Sequence, residues 1–309
     1  MIRINDIFEL HNLKVDNYLF EVMEDSLKII NRKEKFEINL KYNKENVIST
    51  LETIKKLTEI KIVLDSFKER EILSYIESKG FNKLLWNPIG KAMHRFNMIE
   101  AGDRVAVGIS GGKDSIVLFN ALVRIKKIAN LDFEIIPIHI HMKEDLSDLS
   151  ELTAYIKKFG YDLKVIETNL GNLVKEKNPC FLCGRLRRGI LYTFMKENSI
   201  NKLALGHHKD DIIETFLLNI IYQGNRNIMK PAYFSDEHQV TVIRPLAFVE
   251  EKNIISYSKK LSLPILETKC PYEMSVDSKR LRIKNIIKDI SLETPDVRST
   301  ILNSINDLF

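Results

Sequence analysis

The sequence predicts an α/β protein: a doubly wound, mostly parallel sheet with a small N-terminal α/β appendage. Two observations carry this reading. From Lys91 onward, short apolar runs alternate with helix-period segments, the pattern of βα units. Two polar clusters, Ser110–Ser115 and Gly206–Asp211, each follow a strand-like run and open a helix-like one. Ligands of such sheets bind at the carboxyl ends of the strands.

Residues 1–84 hold no catalytic-looking cluster. Phe36–Tyr42 alternates like a short strand, 46–60 and 68–79 are helix-like, and 60–65 reads as a second strand. Pro88 and Gly90 mark a joint, so the expected division is an appendage over 1–84 and a main domain over 85–309. In the main domain, Arg104–Ile109 reads as a buried strand and Ser115–Ile128 as a helix. Phe133–Met142 is a strand, Leu149–Phe159 a helix and Asp162–Thr168 a strand. Leu186–Asn198 is helical, Lys202–His208 is a strand running into a loop, and Asp210–Tyr222 is a helix.

With 309 residues, 44% hydrophobic and 29% charged, the chain has an ordinary globular composition. No apolar run reaches the roughly 18 residues of a membrane span, and the start lacks a signal pattern. The expectation is a cytoplasmic protein with no membrane partner. Residues 1–84 carry 15 basic and 15 acidic side chains, so the whole +5 net charge falls in the rest. Such an excess permits a nucleic-acid partner without requiring one.

Ser110-Gly111-Gly112-Lys113-Asp114-Ser115 pairs a cation and an anion at the mouth of a helix. The glycines permit close approach of a ligand, and helix-start N–H groups favour an anion. Lys113 adds positive charge, while Asp114 can hold Mg²⁺. A magnesium–nucleotide phosphate chain satisfies all of these. The spacing is neither a Walker loop nor G-x-G-x-x-G. In Gly206-His207-His208-Lys209-Asp210-Asp211, two adjacent carboxylates exceed what a helix cap needs, so one is available for Mg²⁺ or proton transfer. Asp211 is the candidate. A lone histidine is usually structural, which ranks His207 and His208 below the aspartates.

The cysteines are Cys180, Cys183 and Cys270. An odd number argues against a disulfide framework. A C-x-x-C pair plus a distant third thiol leaves three readings open: an iron–sulfur cluster, zinc completed by a histidine, or a reactive dithiol. Arg185, Arg187 and Arg188 follow directly. They read either as a solvated helix face or as guanidiniums contacting RNA phosphate or an adenylate phosphate.

The Ser110–Ser115 stretch resembles the signature of the PP-loop ATP pyrophosphatases, and Gly206–Thr215 resembles that superfamily's second motif. Asn97–Ser115 resembles, more narrowly, the tRNA 2-thiocytidine synthetase family. The resemblance runs from about Lys91 to Leu302. It implies ATP, bound by Ser110–Ser115, Gly206 and His207, and Mg²⁺ at Asp114 and Asp211. It also implies a [4Fe-4S] cluster on Cys180, Cys183 and Cys270, with one iron left without a protein ligand. Catalysis is expected from Lys113, Asp114, Asp211, Cys180 and Cys183, and RNA binding from Arg185, Arg187 and Arg188. The implied activity is tRNA thiolation: adenylation of a pyrimidine C2 oxygen, then replacement by sulfur. The expected partners are tRNA and a sulfur donor, either a cysteine desulfurase persulfide or sulfide; a homodimer is compatible with the sequence. The Cys-Pro-Tyr form at Cys270 resembles instead the 2-thiouridine enzymes of the T-loop, whose extra zinc-binding cysteines this chain lacks. A lysidine-forming amidine ligase would need no thiols, and a non-catalytic nucleotide sensor would not need Asp114, Asp210 and Asp211 together.

Overall fold

The structure is a computed structural model. It describes residues 18–22, 26–31, 36–41, 76, 80–129, 131–142, 147–169, 179–266 and 278–309. Side chains are described from residue 76 onward, excepting 179–183 and 278. The chain divides into two compact units, Met1–Glu71 and Ile72–Phe309. This division lies earlier than the expected joint at 84/85. The reason is packing: Ile76 is buried in the core of the second unit.

In the first unit, β1 (Tyr18–Val22), β2 (Ser26–Asn31) and β3 (Phe36–Lys41) pair antiparallel in that order. Only β3 was expected. The expected strand 60–65 and helices 46–60 and 68–79 lie outside the described residues, apart from helical Ile76.

In the second unit, a π-helical turn, Asn82–Trp86, runs into α1 (Asn87–Arg95), with Pro88 near its start. Pro88 has no N–H to give the preceding turn, and the Leu84 carbonyl accepts instead from Asn253 Nδ2 at 3.2 Å. The elements that follow are β4 (Arg104–Gly108), α2 (Lys113–Ile128), β5 (Glu134–Met142), α3 (Ser150–Lys158), β6 (Lys164–Thr168), α4 (Pro179–Glu197), β7 (Lys202–Ala204) and α5 (Lys209–Leu218). A second π-turn, Asn219–Gln223, ends at Gly224 in the left-handed region. Then come β8 (Ala232–Ser235), β9 (Val240–Ile243), α6 (Glu251–Lys260), α7 (Ser278–Glu293) and α8 (Val297–Ser304).

Six strands form one sheet in the order β6-β5-β4-β7-β9-β8, parallel except for β8, which pairs antiparallel with β9. The mostly parallel, doubly wound expectation holds. β4 packs alternately: Val105 and Val107 face one core together with residues of α2, α3 and α6, while Ala106 faces the other with Leu191 and Met195 of α4. A third apolar cluster joins α5, α7 and α8 through Ile212, Ile213, Ile283, Ile287 and Leu302. From β4 the chain adds strands in one direction, β5 then β6, and then returns to add β7 on the other side. The order therefore reverses between β4 and β7, and both polar clusters leave the sheet there. No described helix is long and apolar enough to cross a membrane.

Candidate functional site

The loop after β4 is tied by its own hydroxyls. Ser110 N and Ser110 Oγ both donate to Ser115 Oγ at 3.2 Å, and Ser115 Oγ donates to Gly112 O at 2.8 Å. Gly111 has φ +86°, and a Cβ there would run into the Leu266 side chain. Leu266 N in turn donates to Gly111 O at 3.0 Å. α2 begins at Lys113, two residues before the expected start, so Lys113 and Asp114 occupy its first turn. Gly206 lies directly against that turn: a Cβ on it would sit 3.0 Å from Asp114 C and 3.1 Å from Ser115 N. The two motifs, far apart in sequence, are thus in backbone contact.

Lys113 Nζ lies 3.2 Å from Asp114 Oδ2 and 3.2 Å from Glu251 Oε1. Burial pulls its pKa down, but the two carboxylates more than offset this and hold it above the usual 10.5. Glu251 also accepts from Lys284 Nζ at 2.7 Å. Burial would raise the Glu251 carboxyl, yet the hydrogen bonds of Lys284 and Lys113 bring it down to about 2. Glu251 opens α6, and its backbone N–H donates to Asp210 Oδ2 at 2.7 Å. One residue therefore contacts both motifs.

The carboxylates after β7 are heavily engaged. Asp210 is buried and also accepts from Arg298 Nε at 2.6 Å. Asp211 accepts from His208 N at 3.0 Å through one oxygen and from Arg280 Nη2 at 2.5 Å through the other. Arg280 Nε donates to buried Glu214 at 2.8 Å. Buried His208 places Nε2 3.5 Å from Asp211 Oδ2 and 3.8 Å from Asp114 Oδ1. Asp114 Oδ1 is buried and has no hydrogen-bond partner. Among the described residues, no group of three or more His, Cys, Asp or Glu side chains is arranged to hold a metal ion. Each oxygen of Asp210 and Asp211 instead accepts from an arginine or a backbone N–H.

A cavity of about 350 Å³ opens beside this loop. Its walls include Ser110 after β4, Ile138 and Ile140 of β5, His207 after β7, and Gly184, Arg187 and Arg188 of α4. His207 Nδ1 accepts from Arg244 Nε at 3.2 Å, which leaves its ring proton on Nε2. Burial, helped by the Arg244 charge, lowers the His207 pKa to about 4. The imidazole is therefore a neutral donor at pH 7. Arg187 has a buried Nε with no hydrogen-bond partner.

The three arginines separate. Arg187 and Arg188 line the cavity, whereas Arg185 lines a different groove with Ile166 and Phe194. α4 starts at Pro179, seven residues before the expected helix, so Cys180 and Cys183 are its second and fifth residues. Their side chains, and Cys270 altogether, lie outside the described residues. Sequence reasoning missed Glu251, Arg280, Arg298 and Arg244. Glu250-Glu251 reads locally as an ordinary acidic helix start, and the only signal for Arg280 is the basic run Lys279–Lys284.

A PP-loop domain family model matches residues 86–289. The tRNA-cytidine(32) 2-sulfurtransferase of Geobacter metallireducens is 35% identical over 238 residues, covering 75% of this chain and 92% of its own length. The enzyme of the same name from Pseudomonas fluorescens is 36% identical over 241 residues, covering 75% and 86%. Among solved structures, the U34-tRNA thiolase of Methanococcus maripaludis with its [4Fe-4S] cluster matches with a TM-score of 0.59 and 24% identity, over 72% of this chain and 77% of that one. This last likeness concerns the fold.

Proposed function

This chain belongs to the PP-loop family and, within it, to the tRNA-cytidine(32) 2-sulfurtransferases, and from that premise we propose that it converts a tRNA cytidine to 2-thiocytidine at the expense of ATP. One observation carries the reading: the phosphate-type loop and the cysteine-bearing helix α4 share a single cavity.

The chemistry needs a leaving group, because a carbonyl oxygen is a poor one. The cytosine C2 oxygen attacks the α-phosphorus of ATP, and pyrophosphate departs. Sulfur at the oxidation level of sulfide then attacks C2, the C2–O bond breaks, and AMP carries the oxygen away. The base must be splayed from its stack to bring its C2 oxygen to the α-phosphorus, which suits a loop nucleotide.

The N–H groups at the start of α2, with Lys113, bind the phosphate chain. Arg187 and Arg188 stand across the same cavity, and the buried Arg187 Nε without an acceptor supports a phosphate partner there. His207 offers a neutral N–H. Mg²⁺ fits at the unpartnered Asp114 oxygen; Asp211 would join it by giving up Arg280. Bound there, the ion would neutralise phosphate charge. The donor set Cys180, Cys183 and Cys270 suits a [4Fe-4S] cluster, which would supply an iron without a protein ligand to carry sulfur. Along α4, Cys183 and Cys180 come about one and two turns before Arg187. Leu266, four residues before Cys270, is bonded to Gly111, and four residues reach at most about 14 Å.

The test is mass spectrometry of tRNA nucleosides from cells lacking the gene. 2-Thiocytidine should be absent and restored by wild type, but not by Lys113→Ala, Asp114→Ala or Cys180→Ala. Undiminished 2-thiocytidine in the deletion refutes the reading, and loss of 2-thiouridine instead reassigns the base.

A further inference from the structure

A second concavity, of about 400 Å³, lies between α1 and α8. One wall is a stripe at four-residue spacing, Lys83, Asn87, Lys91 and Arg95. Over the 12 residues from Lys83 to Arg95 the rise is about 18 Å, so the stripe is an extended row of donors. The facing wall presents Ser299, Asn303 and Asn306 of α8 and the turn after it, at helix-face spacing. Buried Lys209 is part of the lining, held by Glu250 at 3.2 Å and Ser299 at 2.9 Å. Arg95 Nη1 donates to Asn306 Oδ1 at 2.6 Å, bridging the two walls. No carboxylate is among the lining residues. Lys83 and Lys91 are exposed, and neither ammonium meets a carboxylate among the described residues.

We propose that this groove holds the phosphodiester backbone of the RNA substrate. The inference rests on the tRNA reading above and adds where the backbone lies. A row of uncompensated cations spread over about 18 Å matches a polyanion with regularly spaced charges better than a single compact anion. The opposing amides and hydroxyl match phosphate and ribose oxygens, which are the usual targets of positioning contacts. Lys209, in the groove, is directly followed by Asp210 of the nucleotide site, so the groove adjoins that site through one peptide bond.

The experiment uses full-length protein and measures tRNA binding across a salt series for wild type and for Lys83→Gln/Lys91→Gln. Each lost phosphate contact lowers the slope of log K against log salt by about 0.7–0.9. The double variant should therefore lose about 1.5 from the slope and bind roughly tenfold more weakly near 0.15 M salt, with an unchanged melting curve. A parallel titration with inorganic tripolyphosphate separates the sources of phosphate. If the variant changes tripolyphosphate binding but not the tRNA slope, the groove is a small-anion site and the proposal fails. Wild type that binds tRNA with the same slope as the variant overturns the groove alone. Wild type that binds no tRNA overturns both the groove and the substrate reading.

Discussion

Replacing Glu251 by Gln removes the one negative charge shared by Lys113 and Lys284 while keeping the side chain's shape. The gap between the usual 4.5 and about 2 would correspond to about 3.4 kcal/mol if fully realised. One-fifth of the Glu251 side chain is open to solvent and Lys284 is half exposed. Screening therefore brings the expected loss to about 1–2 kcal/mol. The sign follows from the depressed carboxyl. Its contribution is complete above pH 4.5, where the unfolded chain is also ionised, and fades as pH falls toward about 2. Urea unfolding can be followed by the fluorescence of Trp86, the chain's single tryptophan, which is buried in the core of the second unit. Wild type should exceed the variant by about 1–2 kcal/mol from pH 7 to 5, and the difference should narrow at pH 3.5. A difference that stays constant down to pH 3.5, or is missing at pH 7, refutes the assignment of Glu251 as the clamp on Lys113.

Gly206→Ala places a methyl against the backbone of Asp114 and Ser115, which cannot rotate away. It should cost about 1–3 kcal/mol and abolish ATP binding measured by calorimetry; full ATP affinity in a folded variant would show that the two motifs need not touch. The arginines should split as their positions do: Arg187→Ala should raise the ATP concentration needed for pyrophosphate release, while Arg185→Ala leaves it unchanged. Equal effects of the two substitutions would contradict their separation into different concavities.

The parts of the site that are local in sequence were legible in it. A strand, a glycine turn and a helix start occupy consecutive residues at Ser110–Ser115, so composition and periodicity suffice. Gly206–Asp211 has the same form. Their meeting was legible too, because parallel sheets collect such loops at one edge. The electrostatic frame was not. Glu251, Arg280 and Arg298 reach the site from α6, α7 and α8, which tertiary packing alone brings there. β8 and β9 were missed because four residues each carry too little alternation to register. The arginine run was read as one surface, but neighbouring residues on a helix point in different directions. Pro88 and Gly90 mark the expected joint, whereas buried Ile76 already belongs to the core of the second unit.

The chain between Leu266 and Arg280 is fastened at both ends to the nucleotide site, at Gly111 on one side and at Asp211 and Glu214 on the other. Cys270 lies within that span. A ligand set made of Cys180, Cys183 and Cys270, as proposed above, would draw its third member from a stretch of sequence anchored at both ends. Short tethers give effective concentrations on the order of millimolar, and the entropy of closing the loop is lost when the protein folds rather than when the metal or sulfur arrives. Under that proposal, assembly at the three thiols would depend on the grip of Arg280, a residue with no sulfur chemistry of its own.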